Sequence, residues 1–489
     1  MMHVAHNRIG HHRGRRRLWL EGPRLSLVRF EPGARYRLRV DPDRRRIVLE
    51  LRPDGERAVS GRTRKSGGVL RPIIDIAGAL LERVFGAAAE KVRVVYRERQ
   101  IEVALPPLAV AQARREADLV DRLSCGEALA VGSICGGAEV IGHAVHTGLE
   151  QAGVRTEPVL AADIDPEGLD VAVAANPRTR GGSLSFEGSI AELEPELVPR
   201  LDLMCVTLPC TAASLAGRAH GRHEVPEADP DAGFLVAPAL ALIRAASPAV
   251  VIAENVPTWA NTASAWIWRR QLEAWGYSLF ELALYGPDFG AYERRDRWAC
   301  VAFSRGVAPE AFEVPAEPRT GLQVADVLEN VPLDDERWRT REYLTRHAER
   351  HVAAGNNFKL NVVSPSDETV GVMGRCYWKG RTTEPQLRHP TDPARRRLFT
   401  PLENARLRGC PEDLAEAIIR DRSPTAATEL LGQSGIWPAF AALARAVGRH
   451  LSSLARPTNV TPMPVRTAPE RRAAAAKASG GVGQLALAF

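Results

Sequence analysis

The sequence contains no run of about 18 uncharged apolar residues, so no transmembrane helix is expected. Its Arg- and His-rich start lacks the apolar segment of a secretory signal peptide. The seven cysteines are scattered and never form a Cys-x-x-Cys pair, which argues against disulfides and against a cysteine zinc site. We therefore expect a cytoplasmic globular protein without a bound metal.

Length and charge add two further expectations. At 489 residues the chain is long enough for two to four domains, on a prior of about 150 residues per domain. The net charge of +6 is unevenly distributed, because residues 1–65 carry 18 Lys and Arg against 7 Asp and Glu. This basic segment favours a polyanion partner such as nucleic acid, and an ordinary solvated face is the alternative.

Residues 1–118 are predicted to form a basic, β-rich module that binds DNA or serves as a structural extension. Apolar residues alternate in 36–40 and 47–51, and again in 92–96 and 101–105, which predicts two hairpins. A helix is expected between them, from about Asp75 to Phe85. The stretch from Leu18 to Leu51 resembles small AbrB-like and SymE-like β modules, several of which bind nucleic acid.

From Leu129 onward, strands and helices alternate, which is typical of a doubly wound α/β domain. A strand at 129–134 meets Gly136-Gly137 and a helical pattern, and the next strand ends in Asp163 and Asp165. Glycines at a first strand-to-helix turn, with an acid at the end of the second strand, suit a nucleoside-bearing cofactor. An ordinary helix-start turn is the alternative.

Three further stretches carry chemistry-bearing side chains. The predicted strand at 201–207 leaves the thiol of Cys210 at a carboxyl strand edge, although a lone cysteine is commonly buried and inert. Glu254 ends a β-branched strand, where it is a catalytic carboxyl or a helix-capping acid. Arg295 and Arg297 alternate on one face of an extended segment, as functional cations or as a surface ion-pair ladder.

Taken in order, these stretches resemble the motifs of the DNA cytosine-5 methyltransferase family over about residues 128–452. The matching stretches are Gly136-Gly137, Asp163-x-Asp165, Gly188-Ser189-Ile190, Pro209-Cys210 with Ser214 and Ala216-Gly217, Glu254-Asn255-Val256, Glu293-x-Arg295-x-Arg297, Thr400 to Pro411, and Gly432-Gln433-Ser434.

The resemblance implies a Rossmann-like, S-adenosylmethionine-dependent methyltransferase sheet with a small target-recognition subdomain. The expected units are a catalytic core at 126–305, a target-recognition region at 306–396 and a return segment at 397–455. The cofactor-binding residues that it implies are Gly136, Gly137, Asp163, Ile164, Ser189, Ile190, Gln433 and Ser434. In the target-recognition region, residues 355–358 and 373–381 interleave Gly, aromatic and basic side chains, as nucleic-acid surfaces do.

The chemistry explains why these residue types are needed. Addition of a thiolate at carbon 6 turns cytosine into an enamine that can attack a methyl donor, which is the role expected of Cys210. Glu254 is expected to protonate ring nitrogen 3, and Arg295 and Arg297 to hold the 2-oxo group and the nucleophile loop. The expected activity is site-specific methylation of double-stranded DNA in the nucleoid, on a cytosine flipped out of the duplex.

The sequence departs from the family pattern mainly around the cofactor and the nucleophile loop. The departures include Gly132 for an aromatic residue, Ile134 for a glycine, Ser189 for Asp, Gln433 for Asn, and Leu208, Thr211 and Ala213 in the loop. The alternative is therefore a catalytically weak or inactive DNA-binding protein that keeps the fold.

Residues 456–489 are rich in Pro, Ala and Arg and are predicted to be disordered. The final Gln484-Leu485-Ala486-Leu487-Ala488-Phe489 resembles peptides that dock on the bacterial sliding clamp, which suggests the clamp as a second partner. Nothing in the sequence requires an oligomer.

Overall fold

The computed structural model describes residues 2–42, 44–63, 70–175, 183–210, 213–214, 225–355 and 360–455. These residues form two antiparallel sheets in the first quarter of the chain, a seven-stranded sheet in the middle and a small four-stranded sheet near residue 390. Helices pack on the seven-stranded sheet, so the predicted α/β class is confirmed.

Ten strands and two short helices make up the amino-terminal residues. They are β1 (Met2–Arg8), β2 (Gly10–His12), β3 (Arg15–Glu21), α1 (Pro23–Ser26), β4 (Arg35–Asp41), β5 (Arg46–Leu51), β6 (Arg57–Ala58), β7 (Ser60–Arg62), β8 (Arg71–Ala77), α2 (Ala79–Phe85), β9 (Lys91–Arg97) and β10 (Gln100–Ala104). One sheet has the order β1-β9-β10-β5-β4-β6 and the other β2-β3-β8-β7.

Both predicted hairpins are present in the expected register. Tyr36 lies opposite Leu51 in the first, and Tyr96 lies opposite Ile101 in the second. The prediction of a helix from Asp75 was wrong, because Asp75 lies in β8 and α2 begins at Ala79. Alternate residues of β8 enter the core, and Gly78 with φ 93° separates the strand from the helix.

Helix α3 (Pro107–Cys125) joins these sheets to the middle of the chain. Its Arg115 is buried, donates to the Ser304 hydroxyl and the Trp275 carbonyl at 2.8 Å each, and stacks 4.0 Å above the Tyr277 ring. The helix therefore packs against the seven-stranded sheet, and residue 118, the end expected for the amino-terminal module, lies inside it.

The seven-stranded sheet has the order β13-β12-β11-β14-β15-β17-β16. Pairing from β13 to β15 is parallel, whereas β17 is antiparallel to both of its neighbours. Its elements are β11 (Leu129–Ile134), α4 (Val140–Gln151), β12 (Thr156–Asp163), α5 (Pro166–Ala175), β13 (Leu184–Glu187), β14 (Leu203–Val206), α6 (Val236–Ala246), β15 (Val250–Asn255), α7 (Ala263–Ala274), β16 (Tyr277–Tyr285) and β17 (Asp296–Ser304).

Both faces of this sheet are covered. Successive side chains of a strand point to opposite faces, so Val250 and Ile252 enter one apolar core while Val251 and Ala253 enter the other. Because both faces are buried, the strands read as continuous apolar runs, and the strand ends are the positions where polar side chains can reach a ligand.

The remaining elements form the small sheet and a carboxyl-terminal group of helices. They are β18 (Arg339–Thr340), α8 (Glu342–Ala353), β19 (Val362–Val363), β20 (Gln386–Arg388), β21 (Arg395–Arg397), α9 (Pro401–Leu407), α10 (Glu412–Ile419), α11 (Pro424–Gln433) and α12 (Trp437–Leu454). Single-turn 3-10 helices lie at Pro226–Ala228, Pro257–Asn261, Gly286–Phe289, Arg305–Val307, Val324–Val327 and Tyr377–Lys379.

Helix α12 returns the chain to the first helix of the seven-stranded sheet. A Cβ on Gly148 of α4 would lie 2.3 Å from the Ala441 carbonyl oxygen, so the close approach of the two helices requires glycine there. Residues 437–454 thus complete the fold that starts at β11. Within the described residues, no helix combines the length and apolar character needed to span a membrane.

Candidate active site

The loop that follows β14 carries Cys210 at the carboxyl edge of the parallel strands. Leu208 is buried in the sheet's core, and the Asn255 side-chain amide donates to its carbonyl oxygen at 3.0 Å. The Cys210 carbonyl accepts from the amide of Ser214 at 2.9 Å, which closes a turn around the thiol. Thr211, Ala216 and Gly217 of the predicted nucleophile loop lie outside the described residues.

Glu254 and Arg297 meet across two antiparallel strands. Glu254 lies near the end of β15, Arg297 lies near the start of β17, and Arg297 Nε is 2.5 Å from Glu254 Oε1. Both side chains are almost fully buried. A second donor of the guanidinium group, Nη1, bonds the Asp296 carbonyl at 2.8 Å, which fixes its orientation toward the carboxyl group.

Burial shifts the proton equilibria of this site. Burial raises the pKa of Glu254, although the positive charges of Arg297 and Arg295 oppose the rise. Burial likewise raises the pKa of the Cys210 thiol, and the same two arginines act against it. The structure therefore brings the four predicted catalytic residues within electrostatic reach of one another, with the thiol in its neutral form at neutral pH.

A buried ionic cluster lies behind these residues. Glu293, Arg295 and Arg408 are almost completely inaccessible to solvent, and Glu293 has 0% of its side chain exposed. The Glu293 carboxylate lies 3.1 Å from Arg295 Nη2 and 3.2 Å from Arg408 Nε. Although burial favours the neutral acid, the charges of Arg295 and Arg408 hold the pKa of Glu293 below its ordinary value. Burial, together with the repulsion of Arg295, lowers the pKa of Arg408 to about 9.

The cluster also fixes two remote segments. Arg295 and Arg408 both donate to the Met373 carbonyl, at 2.7 and 2.5 Å, and the Met373 amide donates to Glu293 at 2.7 Å. The Ser434 carbonyl accepts from Arg295 at 2.9 Å and from Arg297 at 3.3 Å. The segments near Met373 and Ser434 are therefore bonded to the arginines that act on Glu254.

Ser434, which the family resemblance assigned to the cofactor site, contacts Arg295 and Arg297 through its carbonyl oxygen. Its hydroxyl donates to the Leu431 carbonyl at 2.7 Å. Its neighbour Gln433 is exposed, and its side-chain amide donates to the Glu429 carbonyl at 3.4 Å. Gln433 is the last residue of α11 and Ser434 follows it directly.

The predicted cofactor residues at the ends of β11 and β12 do come together. The Asp163 carboxylate accepts from the Gly137 amide and from the Asp165 amide, at 2.8 Å each. The Gly188 amide, after β13, donates to the Asp163 carbonyl at 2.9 Å. Asp163 therefore joins the loops that follow three adjacent strands, with Gly136 in the first of these loops.

Ile164 is unusual for an apolar residue, because 73% of its surface is exposed to solvent. It lies near the turn at Gly136-Gly137, here called the glycine turn. An exposed apolar side chain at a strand edge, next to the half-buried carboxylate of Asp165, fits the flat base and the ribose hydroxyls of S-adenosylmethionine. Ser189 accepts from the Ala191 amide at 3.3 Å, whereas Ile190 is buried in the core, so only its backbone can face a ligand.

The missing aromatic residue at Gly132 has a structural explanation. A Cβ at this position would lie 2.6 Å from the Leu201 side chain and 3.0 Å from Leu160, so these leucines fill the space. A cavity of about 150 Å³ lies nearby, between β11 to β13 and helices α4 and α5. The space that a side chain at residue 132 would need is thus occupied by Leu201, 69 residues further along the chain.

Glu139 and Arg408 are the main residues that the sequence interpretation missed. Glu139 lies under the glycine turn, accepts from the Ser133 hydroxyl, and lines the cavity. A Cβ on Gly136 or Gly142 would collide with its carboxyl group, and burial raises the pKa of Glu139 to about 7. The sequence held a signal for each of them. Glu139 directly follows Gly136-Gly137-Ala138, and Arg408 lies within the motif from Thr400 to Pro411.

No group of three or more His, Cys, Asp or Glu side chains within the described residues could hold a metal ion.

Comparisons with known proteins identify the family of the chain. The profile of the family described as C-5 cytosine-specific DNA methylase matches residues 140–449. The chain is 26% identical over 294 residues to the type II methyltransferase M.HpaII of Haemophilus parainfluenzae, covering 56% of this chain and 79% of that protein. It is 29% identical over 293 residues to the DNA-cytosine methyltransferase of Escherichia coli K12, covering 51% of this chain and 60% of that protein.

Solved structures support the fold. The Dnmt2 methyltransferase of S. pombe superposes with a TM-score of 0.50 at 19% identity, covering 68% of this chain and 100% of that one. The Entamoeba histolytica methyltransferase EhMeth gives a TM-score of 0.51 at 14% identity, covering 66% and 98%. The chain therefore belongs to the C-5 cytosine-specific DNA methylase family, whose enzymes use S-adenosylmethionine as methyl donor.

Proposed function

We propose that this protein methylates cytosine at a specific site in double-stranded DNA, through a covalent bond between Cys210 and the base. The observation that carries the proposal is the buried Glu254 carboxyl group, held 2.5 Å from Arg297 in the site whose charges act on the Cys210 thiol. A nucleophile, a proton donor and a fixed cation are the groups that attack on a cytosine ring requires.

In the first step, the Cys210 thiol releases its proton to solvent, Sγ forms a bond to carbon 6, and the electron pair of the carbon 5–carbon 6 double bond moves into the ring toward nitrogen 3. Glu254 gives its proton to ring nitrogen 3, which neutralises the charge that the attack creates. Burial raises the pKa of Glu254, which favours the protonated form that this step needs. The base must first leave the duplex, at a cost of roughly a few kcal/mol that contacts with the DNA offset.

S-adenosylmethionine supplies the methyl group that carbon 5 takes up. As the methyl group is taken up, nitrogen 3 returns its proton to Glu254. Loss of the carbon 5 proton to solvent then restores the double bond, the carbon 6–sulfur bond breaks, and Cys210 leaves as a thiolate. Arg297 and Arg295 favour that thiolate electrostatically. Arg297 also orients Glu254, whereas Arg295 acts as a positioning residue whose guanidinium group bonds the Met373 and Ser434 carbonyls.

For the cofactor, we assign the binding surface to the loops after β11, β12 and β13. Gly136 and Gly137 allow a close backbone approach, Asp163 holds the loops together, and Ile164 packs on the base. Ser189 and the backbone of Ile190 border the same edge. Gln433 and Ser434 contribute indirectly, because Ser434 fixes the arginines beside the reacting base.

The division into functional units is also part of the proposal. Residues 126–305 form the catalytic core, 397–455 complete it, and 306–396 recognise the target, with residues 373–381 next to the catalytic cluster. The bonds between Met373 and the Glu293 cluster support this placement. The packing of α3 on the catalytic sheet favours a start of the core near Pro107.

A second candidate is a DNA-binding protein that keeps the fold but has little or no activity. The observation in its favour is the altered cofactor edge, where Gly132 is covered by Leu201 and Ser189 replaces an acid. In this case the protein would occupy sites in the nucleoid without modifying them.

Bisulfite sequencing of DNA from cells that express the protein separates the two candidates. We expect a methylated sequence motif with the unaltered protein and with Cys125→Ser, an exposed cysteine in α3 that serves as the control. Cys210→Ser should abolish the motif. Absence of any methylation that depends on Cys210, with DNA binding retained, would overturn the enzyme proposal in favour of the binder.

The sliding-clamp contact rests on the sequence, because Gln484 to Phe489 and the whole segment 456–489 lie outside the described residues. A protein ending at Gly483 should lose affinity for the purified clamp while keeping its affinity for DNA. Equal clamp binding by the full and shortened chains would contradict this contact.

A further inference from the structure

The first 20 residues carry an unbalanced positive charge. They contain five arginines, four histidines and no acid, and the first acidic residue is Glu21. Most of these cations lie on β1 and on the hairpin of β2 and β3, whose turn is Arg13-Gly14; we call residues 10–17 the basic hairpin. This region lies outside residues 140–449, which the family profile matches.

Two of the arginines hold the basic hairpin in place. Arg16 Nη1 donates to the Gly86 carbonyl at 2.5 Å, and its Nη2 donates to the Ala89 carbonyl. Arg17 forms two bonds of 2.8 Å with Asp75 and stacks 4.0 Å above the Trp19 ring. The hairpin is therefore anchored on both of its faces.

Three other arginines have no such partners. Arg8 on β1, Arg13 in the turn and Arg15 on β3 are all exposed, and none of them forms an ion pair with a described residue. His11 and His12 are exposed beside them. The basic hairpin and the adjoining Arg8 therefore present cations that form no ion pair among the residues that the structure describes.

A second charged surface of the amino-terminal residues, on the six-stranded sheet, differs because its arginines are paired with acidic residues. On the six-stranded sheet, Glu102 lies 3.5 Å from Arg93 and 3.8 Å from both Arg46 and Arg97. Glu50 similarly lies within 3.8 Å of Arg39 and Arg52. On that face, the arginines are paired with acidic residues of the same sheet, as on an ordinary solvated surface. Residues 10–17 of the basic hairpin, by contrast, include no acidic residue.

We propose that the basic hairpin, with Arg8, Arg13 and Arg15, binds the phosphate backbone of duplex DNA outside the target cytosine. Unpaired arginines on a rigid support release condensed counterions from DNA, which favours binding without sequence preference. The major groove, about 12 Å wide, admits a two-stranded β ribbon of this kind. The hairpin would hold the enzyme on DNA between target sites.

The test uses the full chain and an alternating dA·dT duplex, which contains no cytosine, so its outcome is independent of the methylation chemistry. Affinity is measured by fluorescence anisotropy over a range of salt concentrations. The variant is Arg8→Gln/Arg13→Gln/Arg15→Gln. The matched control is Arg29→Gln/Arg37→Gln/Arg270→Gln, which removes the same charge from arginines that are exposed or half-buried and are paired with Glu98, Asp54 and Glu273.

Loss of three phosphate contacts should lower the slope of log affinity against log salt by about 2.7, at roughly 0.9 per contact. The control should change the slope by less than about 1. Equal slopes for the two variants would overturn the proposal, because they would show that only net charge matters. Preference for a matched rA·rU duplex over the DNA duplex would also overturn it, in favour of an RNA-binding hairpin.

Discussion

The buried cluster behind the active site contains two cations and one anion, and this imbalance leads to a quantitative prediction. Glu293 is the only carboxylate that contacts both Arg295 and Arg408 within the described residues, at 3.1 and 3.2 Å. Glu293→Gln leaves two buried guanidinium groups without a counter-charge. Removal of one partner from a buried ion pair costs about 3–5 kcal/mol of unfolding free energy.

Arg408→Met should cost less, about 1–3 kcal/mol. Glu293 keeps its contact with Arg295, and the two backbone carbonyls that accept from Arg408 keep other donors, whereas the buried Asn404 amide oxygen loses its one described donor. The Met373 carbonyl retains Arg295 at 2.7 Å, and the Leu431 carbonyl retains the Ser434 hydroxyl at 2.7 Å. Burial, followed by the repulsion of Arg295, lowers the pKa of Arg408, and removal of this arginine relieves both effects.

The double variant Glu293→Gln/Arg408→Met should therefore be more stable than Glu293→Gln alone, with a coupling of at least about 1 kcal/mol. Urea denaturation of the full chain, followed by tryptophan fluorescence, gives the three free-energy differences. The reasoning would be refuted if Arg408→Met were as destabilising as Glu293→Gln and the two effects were additive.

Two further predictions concern the cofactor edge. Glu139 has a pKa of about 7 in the fold against an ordinary 4.5, so its contribution to stability is fully present below pH 4.5 and is lost as pH rises through about 7. In Glu139→Gln, the loss of stability between low and neutral pH should be smaller by up to about 3 kcal/mol. Thermal melting of both proteins from pH 5 to 8 measures this difference, and the same pH profile for both would contradict the prediction. Asp163→Asn replaces an oxygen that accepts from Gly137 by an amide, so S-adenosylmethionine should bind about tenfold more weakly by calorimetry. Asp170→Asn, exposed on α5, is its control, and equal affinities would exclude this role.

The sequence by itself determined the secondary structure that depends on local periodicity. The alternation in β4, β5, β9 and β10 set both the strands and their register, because a slip of one residue would turn every apolar side chain toward solvent. The apolar runs of β11, β14 and β15 likewise indicated strands buried on both faces. The start of α2 was misjudged because the short strand β8 and the helix both carry closely spaced apolar residues.

The sequence also provided the order of the motifs, and therefore the family and the chemistry expected of Cys210 and Glu254. It could not provide the partners of these residues. The contacts that Arg295 makes with Met373 and Ser434 span 78 and 139 residues, and no local pattern encodes such pairings. Only the tertiary structure brings these segments together.

The same holds for the residues that the sequence did not single out. Leu201 fills the space beside Gly132 because β14 pairs with β11, and Glu139 is buried because the glycine turn folds back over it. Arg408 becomes part of the active-site cluster when the carboxyl-terminal helices return to the sheet. Residue type and local order thus determine which chemistry is available, whereas chain packing decides which charges share a buried site and therefore how each of them ionises.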